Sequence, residues 1–473
     1  MDLAGRKAGV MGLGLSGEAS ARFLLRAGAR VAASDIRSEA ELGALPESLR
    51  DLGAEVETGG HGITFFEDCE IVVLSPGIRP DMEPLERARR AGARVISEVE
   101  LASWFLRGRI AGVTGSNGKS TVTALAASML RASGIRARAC GNIGLPLIAL
   151  HGPPAGEIHV KDLGSDECLG GDEKDAVYVA ELSSFQLEAI DSFRPVVAAL
   201  LNLSPDHQDR YARPEDYYEA KARIFMNQSE QDVAVLNADD PATWALAKSV
   251  RARLHSFTQG RGGGEGVRVR DGVLVHVSAG RETTLMEAAE IHLPGRHGRE
   301  NVAAAATVAM SMGATAEGIR SATAGFEGLP HRLQLVAKHR GVLVYDDSKA
   351  TNVGSTLRAV EAFDAPIILM LGGRDKGGDF EELAARVAGR IKTAVTFGEA
   401  GAAIAERVAE TMPVIRSGSL EEAARAALGS ADPGDVVLLS PACASFDAFT
   451  GYAARGEAFT RIVQGISSET EPR

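Results

Sequence analysis

Short apolar runs alternate with longer amphipathic or alanine-rich runs from the start of the chain. Lys7-Ala-Gly-Val-Met11 reads as a strand and opens into the glycine turn Gly12-Leu-Gly-Leu-Ser-Gly17. A helical run follows to about Arg26, then a strand from Ala29 to Ser34 that ends at Asp35. Glu70-Ile-Val-Val-Leu74 repeats the form and runs into Ser75-Pro76-Gly77. Further strands are predicted at 109–114, 176–180, 196–202 and 232–237, and again at 341–345, 366–371, 393–397 and 435–439. Strands alternating with helices favour parallel sheets covered by helices, an α/β fold. A chain of 473 residues exceeds what one core usually holds, roughly 250–300 residues. Boundaries are placed near 97–108 and at Gly328-Leu-Pro330, which gives three domains, 1–97, 98–329 and 330–473. Residues 161–175, acidic and glycine-rich, read as a solvated surface insertion.

The strand at 109–114 leads into Gly115-Ser116-Asn117-Gly118-Lys119-Ser120-Thr121, and an alanine-rich helical run leads out to Ala132. A glycine turn between strand and helix lets successive N–H groups point at phosphate oxygens, and the helix N-terminus adds partial positive charge. Lys119 supplies a full charge, and the Ser120 hydroxyl suits Mg²⁺. The usual four-residue P-loop spacing is not met, because position 113 is Val. The strand before Glu181 ends in a carboxylate of the kind that holds Mg²⁺ beside a phosphate loop. A third run opens into Asn202-Leu-Ser-Pro-Asp206-His207, a candidate metal or nucleotide contact. Gly12-x-Gly14-x-x-Gly17 followed by Asp35 matches a dinucleotide fingerprint, and equally any Rossmann-like turn that carries a diphosphate. Lys221, in a helical stretch, reads on its own as a solvated charge. In the last domain three polar loops follow strands: 346–352, 372–377 and 440–445. Together they describe a binding cleft at one sheet edge.

Net charge of −12 argues against wrapping nucleic acid or an anionic membrane. There is no signal-peptide pattern and no apolar span of about 20 residues. Four dispersed cysteines, without metal-type spacing, fit a reducing cytoplasm.

Several of these stretches together resemble the Mur ligases, ATP-dependent amino-acid ligases of peptidoglycan precursor synthesis. They are the N-terminal glycine turn, Ser75-Pro-Gly77, 114–121, Gly141-Asn-Ile-Gly144, Glu181-Leu-Ser-Ser-Phe-Gln-Leu-Glu188, Asp347-Ser-Lys-Ala-Thr-Asn352 and Ser440-Pro-Ala-Cys-Ala-Ser445. The N- and C-terminal motifs point to the branch that adds D-glutamate to UDP-N-acetylmuramoyl-L-alanine. The resemblance implies a Rossmann-like N-terminal domain for the UDP substrate and a central P-loop mononucleotide-binding domain for ATP. It also implies a Rossmann-like C-terminal domain for the amino acid. Leu15, Ser16 and Asp35, with Ser75, Pro76 and Gly77, would hold the uridine diphosphate, and Asn142 would touch the same substrate. The loop from Ser116 to Thr121 would hold ATP, with Lys119 on its β- and γ-phosphates. Ser120 and Glu181 would ligate one Mg²⁺. Lys221 matches a carboxylated lysine, whose carbamate could hold a second Mg²⁺ with Glu181 and His207. Asn301, Arg332 and Asp347 match nucleotide contacts. Lys349, Thr351, Lys376, Ser445 and Phe446 would line the D-glutamate site, with Tyr452 where the family has an aromatic ring. Catalysis would rest on charge neutralisation by Lys119, Arg332 and two Mg²⁺. A monomeric cytoplasmic enzyme without nucleic-acid or membrane partners is expected. One departure stands out: the pattern Gly-x-His-Asn-x-x-Asn reads Gly295-Arg-His297-Gly298-Arg-Glu-Asn301, with Gly298 in place of the first Asn.

Overall fold

The computed structural model describes residues 2–151, 174–207, 210–260 and 264–470. The insertion predicted at 161–175 lies, up to residue 173, outside the described residues.

The first sheet is fully parallel. Its strands are β1 (Lys7–Met11), β2 (Arg30–Asp35), β3 (Glu55–Thr58), β4 (Ile71–Leu74) and β5 (Arg94–Ser97), in the order β3-β2-β1-β4-β5. The second sheet holds β6 (Arg109–Thr114), β7 (Ala137–Gly141), β8 (Val177–Glu181), β9 (Val197–Leu200), β10 (Val233–Asn237) and β11 (Arg253–Thr258). It continues with β12 (Glu265–Arg270), β13 (Val273–Ser278) and β14 (Arg281–Glu287), in the order β14-β13-β12-β11-β10-β9-β6-β8-β7. Only the β12–β13 and β13–β14 pairs are antiparallel. The third sheet holds β15 (Gln334–His339), β16 (Val342–Asp346), β17 (Ile367–Gly372), β18 (Ile391–Phe397), β19 (Val414–Arg416) and β20 (Val436–Leu439). Its order is β15-β16-β20-β17-β18-β19, with β15 antiparallel. The central strands are continuous apolar runs, as strands covered on both faces must be: every residue of β8, β9, β10, β17 and β20 is buried.

The strands at 109–114, 177–181, 197–200 and 233–237 fall within a residue or two of their predicted positions. Strand β7 was not anticipated. Ala137-Arg-Ala-Cys-Gly141 lacks β-branched residues, and it becomes a strand because it pairs in register with β8.

The chain divides into two compact units, Met1–Ile291 with Glu300–Gly325, and His292–Arg299 with Phe326–Arg473. In the first, one apolar cluster runs from Val10 and Val31 through Val99 and Leu101 to Ile148 and Phe193, so the first two sheets share a core. In the second, separate clusters cover the third sheet, one around Leu369, Phe380 and Ile404, the other around Val437, Phe459 and Val463.

Two buried glutamates tie the helix Glu98–Ser103, between the first two sheets, to the second. The Glu98 Oε1 accepts the Ile148 N–H at 2.6 Å, and its Oε2 is buried with no hydrogen-bond partner among the described residues. Burial pushes this acid up to about 7. Glu100 is its opposite. Its Oε2 accepts the Asp191 and Phe193 N–H groups at 2.9 and 2.7 Å. Its Oε1 accepts the Ser192 N–H, the Ser192 hydroxyl and the Trp104 indole at 2.8, 2.5 and 2.8 Å. Burial opposes its charge, but these donors outweigh burial and lower its pKa.

Candidate active site

Register decides what gathers at the carboxyl edge of the second sheet. Val113 of β6 pairs with Glu181 of β8, Gly141 of β7 pairs with Glu181, and Thr114 pairs with Leu200 of β9. The glycine loop, Glu181, Asn142 and the segment from Asn202 to His207 therefore leave neighbouring strands at one level. This is where ligands sit in open parallel sheets.

The loop is held open by its neighbours. The Ser116 N–H donates to Asn202 O at 2.9 Å, and the Asn117 N–H to Asn202 Oδ1 at 2.9 Å. The Ser116 hydroxyl donates to Ser204 O at 2.9 Å. Gly118 has φ of 80°, and a Cβ there would lie 2.4 Å from Asn301 Oδ1, so the Asn301 side chain stands directly on the loop. Lys119 opens the helix Lys119–Ala132, and its ammonium donates to Gly115 O and Ser116 O, both at 3.0 Å. Ser120 is buried on the same first turn.

Glu181 is buried. Its Oε1 accepts from Asn142 Nδ2 at 3.0 Å, and its Oε2 has no hydrogen-bond partner among the described residues. An unpartnered buried carboxylate oxygen is costly, and a hard cation would satisfy it. Among the described residues no three His, Cys, Asp or Glu side chains converge on one point. A cation here would draw on Glu181, the Ser120 hydroxyl and ligand oxygens, which suits Mg²⁺ better than Zn²⁺.

Lys221 corrects the reading of it as a solvated charge: it is 1% exposed, with Nζ 4.4 Å from the Tyr217 ring centroid. Burial, then the neighbouring Lys119 charge, holds its pKa well below the usual lysine value, while Asp206 and Glu181 pull the other way. Lowering the pKa raises the share of neutral amine, the form that is a nucleophile toward CO₂. His207, at φ 53°, sits edge-on to Phe185 with ring centroids 4.9 Å apart, and its N–H donates to Asp206 Oδ1 at 2.9 Å.

The N-terminal glycine turn forms a second cradle in the same unit. A Cβ at Gly17 would fall 1.8 Å from Gly12 O, so only glycine permits this approach of helix to strand. The Ser75 hydroxyl donates to Gly12 O at 2.7 Å. Asp35 accepts the Leu13 N–H at 2.6 Å and pairs with Arg37 at 3.0 Å. Burial opposes its ionisation, but Arg37 and the Leu13 N–H prevail and hold it at about 2. Asp35 thus organises the turn itself, and Arg37 is the partner that sequence reasoning missed. Leu15 opens the helix Leu15–Arg26 and is 66% exposed at the rim; Ser16 follows it, and Gly77 has φ of 100°.

In the second unit the three polar loops do converge. Arg455, fully buried, binds Ser348 Oγ and Ser348 O at 2.9 and 2.8 Å and Cys443 O at 3.1 Å. It also reaches Gly372 O and Ala444 O at 3.4 and 3.3 Å. One guanidinium therefore joins the ends of β16, β17 and β20. Asp347 is buried beside Ser440, whose hydroxyl donates to it at 2.8 Å. Burial lifts its pKa to about 7, although Ser440 and the Arg332 charge pull it down. Lys349 Nζ stands 5.0 Å from the Tyr452 ring centroid. Ser445 is buried; Lys376 and Phe446 are exposed, and Thr351 is half-buried just before the helix capped by Asn352. At Gly298 a Cβ would lie 2.5 Å from Leu293 O, so this position has no room for the asparagine of the family pattern.

A phosphate-cradling α/β fold with a second diphosphate-type turn and a lysine-bearing terminal sheet defines the class. The chain matches "Mur ligase MurD-like, N-terminal domain" over residues 6–97, "Mur ligase middle domain" over 113–309 and "Mur ligase, glutamate ligase domain" over 331–443. It belongs to the Mur ligase family. It is 42% identical, over 98% of this chain and 100% of the relative, to the UDP-N-acetylmuramoylalanine--D-glutamate ligase of Desulfatibacillum aliphaticivorans. In fold it resembles a pseudomurein peptide ligase type C from Methanothermus fervidus, with TM-score 0.57 and 18% identity over 98% of this chain and 100% of that one. It also resembles MurF ligase from Thermotoga maritima in complex with ADP, with TM-score 0.55 and 20% identity over 85% and 95% of the two chains.

Proposed function

We propose that the chain is an ATP-dependent ligase that joins D-glutamate to UDP-N-acetylmuramoyl-L-alanine. The observation that carries this reading is the shared sheet edge of the phosphate loop, Glu181 and the segment ending at His207. It occurs in a chain 42% identical along 98% of its length to a ligase of that name. The γ-phosphoryl group of ATP passes to the substrate's terminal carboxylate, giving an acyl phosphate and ADP. The D-glutamate amine attacks the acyl carbon, and phosphate leaves from the tetrahedral intermediate. No side-chain nucleophile is required.

Two anions must meet for the first step, so the site's work is neutralisation and alignment. Lys119 would hold the β- and γ-phosphates, with Ser116, Asn117, Gly118 and Thr121 contributing loop groups and Asn301 standing over Gly118. Mg²⁺, when bound, supplies electrostatic stabilisation of the phosphoryl oxygens. Ser120 and Glu181 would hold one ion, and a carbamate on Lys221 with Glu181 and His207 a second. Leu15, Ser16, Asp35 and the loop 75–77 would take the uridine diphosphate, and Asn142 the sugar-peptide end. In the second unit, Arg332 and Asp347 are read as nucleotide contacts. Lys349, Thr351, Lys376, Ser445 and Phe446, with Tyr452, are read as the amino-acid site.

Phosphate release across a panel of UDP-sugar donors and amino-acid acceptors tests this reading. Release is expected only with UDP-N-acetylmuramoyl-L-alanine and D-glutamate together. Equal release with either substrate alone would sink it.

A further inference from the structure

Arg210 belongs to none of the motifs, yet it links three of the loops that the ligase reading uses. Its guanidinium is nearly buried, at 10% exposed, and meets Glu188 Oε2 at 2.5 Å. The same group donates to Gly77 O at 3.3 Å and Ile78 O at 3.1 Å, and lies 4.2 Å from the Phe185 ring centroid. Phe185 stacks on Tyr211, whose hydroxyl donates to Glu188, and meets His207 edge-on. The backbone N–H groups of Arg210 and Tyr211 both donate to His207 O at 3.0 Å. On the far side, Ile78 packs on the first glycine turn: a Cβ at Gly12 would lie 3.1 Å from Ile78 Cγ1.

We infer that Arg210 is a positioning residue. It fastens the Ser75–Ile78 loop of the first sheet to the element that carries His207, and so sets the UDP-bearing end of the substrate against the phosphate loop. The chemistry fits arginine. A planar guanidinium can face a carboxylate, donate to two carbonyls and stack on an aromatic ring at once, whereas a lysine ammonium offers a point charge. Shortening the side chain would take the donor from both carbonyls and leave the half-buried Glu188 carboxylate without its cation. Misplacement of a bound substrate by an ångström far from the reacting atoms costs on the order of 100-fold in rate.

The inference rests on the ligase reading, and the test separates the two. Wild type lacking phosphate release with both substrates would overturn that reading. With wild type active, Arg210→Met, which keeps the apolar stem, is expected to raise KM for UDP-N-acetylmuramoyl-L-alanine at least tenfold. KM for D-glutamate and the Kd of a fluorescent ATP analogue should stay within twofold. Arg210→Lys should fall between, and Glu188→Gln should shift the same KM in the same direction by less. Should Arg210→Met fail to fold, Arg210→Lys and Glu188→Gln carry the comparison. Unchanged KM for the UDP substrate would overturn the inference. So would loss of the UDP substrate and ATP in parallel, or unfolding of all three variants, because each assigns Arg210 to general stability alone.

Discussion

Glu98 and Glu100 stand two residues apart on one helix and should respond to pH in opposite senses. The perturbation of interest is Glu98→Gln. Burial holds the folded-state acid at about 7 against an ordinary value of 4.5. That shift corresponds to about 3 kcal/mol at 1.36 kcal/mol per pH unit. The sign follows from proton binding. Below about pH 4.5 both states carry the proton, and the group costs nothing. Between there and pH 7 the folded state binds more protons than the unfolded, so stability falls as pH rises. Above pH 7 the penalty is complete. Glutamine mimics the protonated acid: it keeps the acceptor for the Ile148 N–H and carries no charge. The variant should match wild type near pH 4 and exceed it by about 3 kcal/mol at pH 8. Urea unfolding followed by tryptophan fluorescence measures this in the relevant unit, because both tryptophans, Trp104 and Trp244, lie in it. Parallel pH profiles for the two proteins, or a variant less stable than wild type at pH 8, would refute the reasoning.

Glu100→Gln should do the reverse. Either orientation of the amide turns its NH₂ group toward at least two existing donors, and the same unfolding curves should show a loss of about 3–5 kcal/mol at pH 7. The wild-type contribution is present above the unfolded pKa and fades as pH falls through the lowered folded value, so the gap should narrow in acid. Lys221→Ala should abolish phosphate release, and acetate at high concentration should restore part of it; full activity without rescue would remove the carbamate from the mechanism. Arg455→Lys, with three donors at most, leaves at least two of the five acceptors around the guanidinium without one. It should cost the second unit roughly 3–5 kcal/mol in calorimetry and raise KM for D-glutamate more than KM for ATP.

Much of the architecture was legible because parallel sheets bury both faces of a strand. That demand writes continuous apolar runs such as Val177-Tyr-Val-Ala and Ile367-Ile-Leu-Met-Leu into the chain. The residues leaving those runs mark a single edge, so the phosphate loop and Glu181 could be paired before any coordinates. What escaped depends on distant neighbours. Lys221 has the local signature of a solvated helix residue, and only packing against Tyr217 and the strand ends buries it. Arg455 looks like one more surface charge on an amphipathic terminal helix, yet it holds three loops. Glu98, Glu100 and Arg210 act on groups 22 to 133 positions away, a distance no periodicity reports. The short strand β7 follows from its partner rather than from its own composition.

The missing asparagine at position 298 has a consequence for how this sequence can change. The Leu293 carbonyl occupies the space where the side chain would begin. Restoring asparagine alone meets a backbone atom, whereas a prior change that relaxes the turn at Leu293 brings no gain of its own while glycine remains. The two changes are non-additive, and their order matters. Any variant that carries a side chain at 298 must also move the Leu293 carbonyl, so a double substitution there has to be judged as a pair.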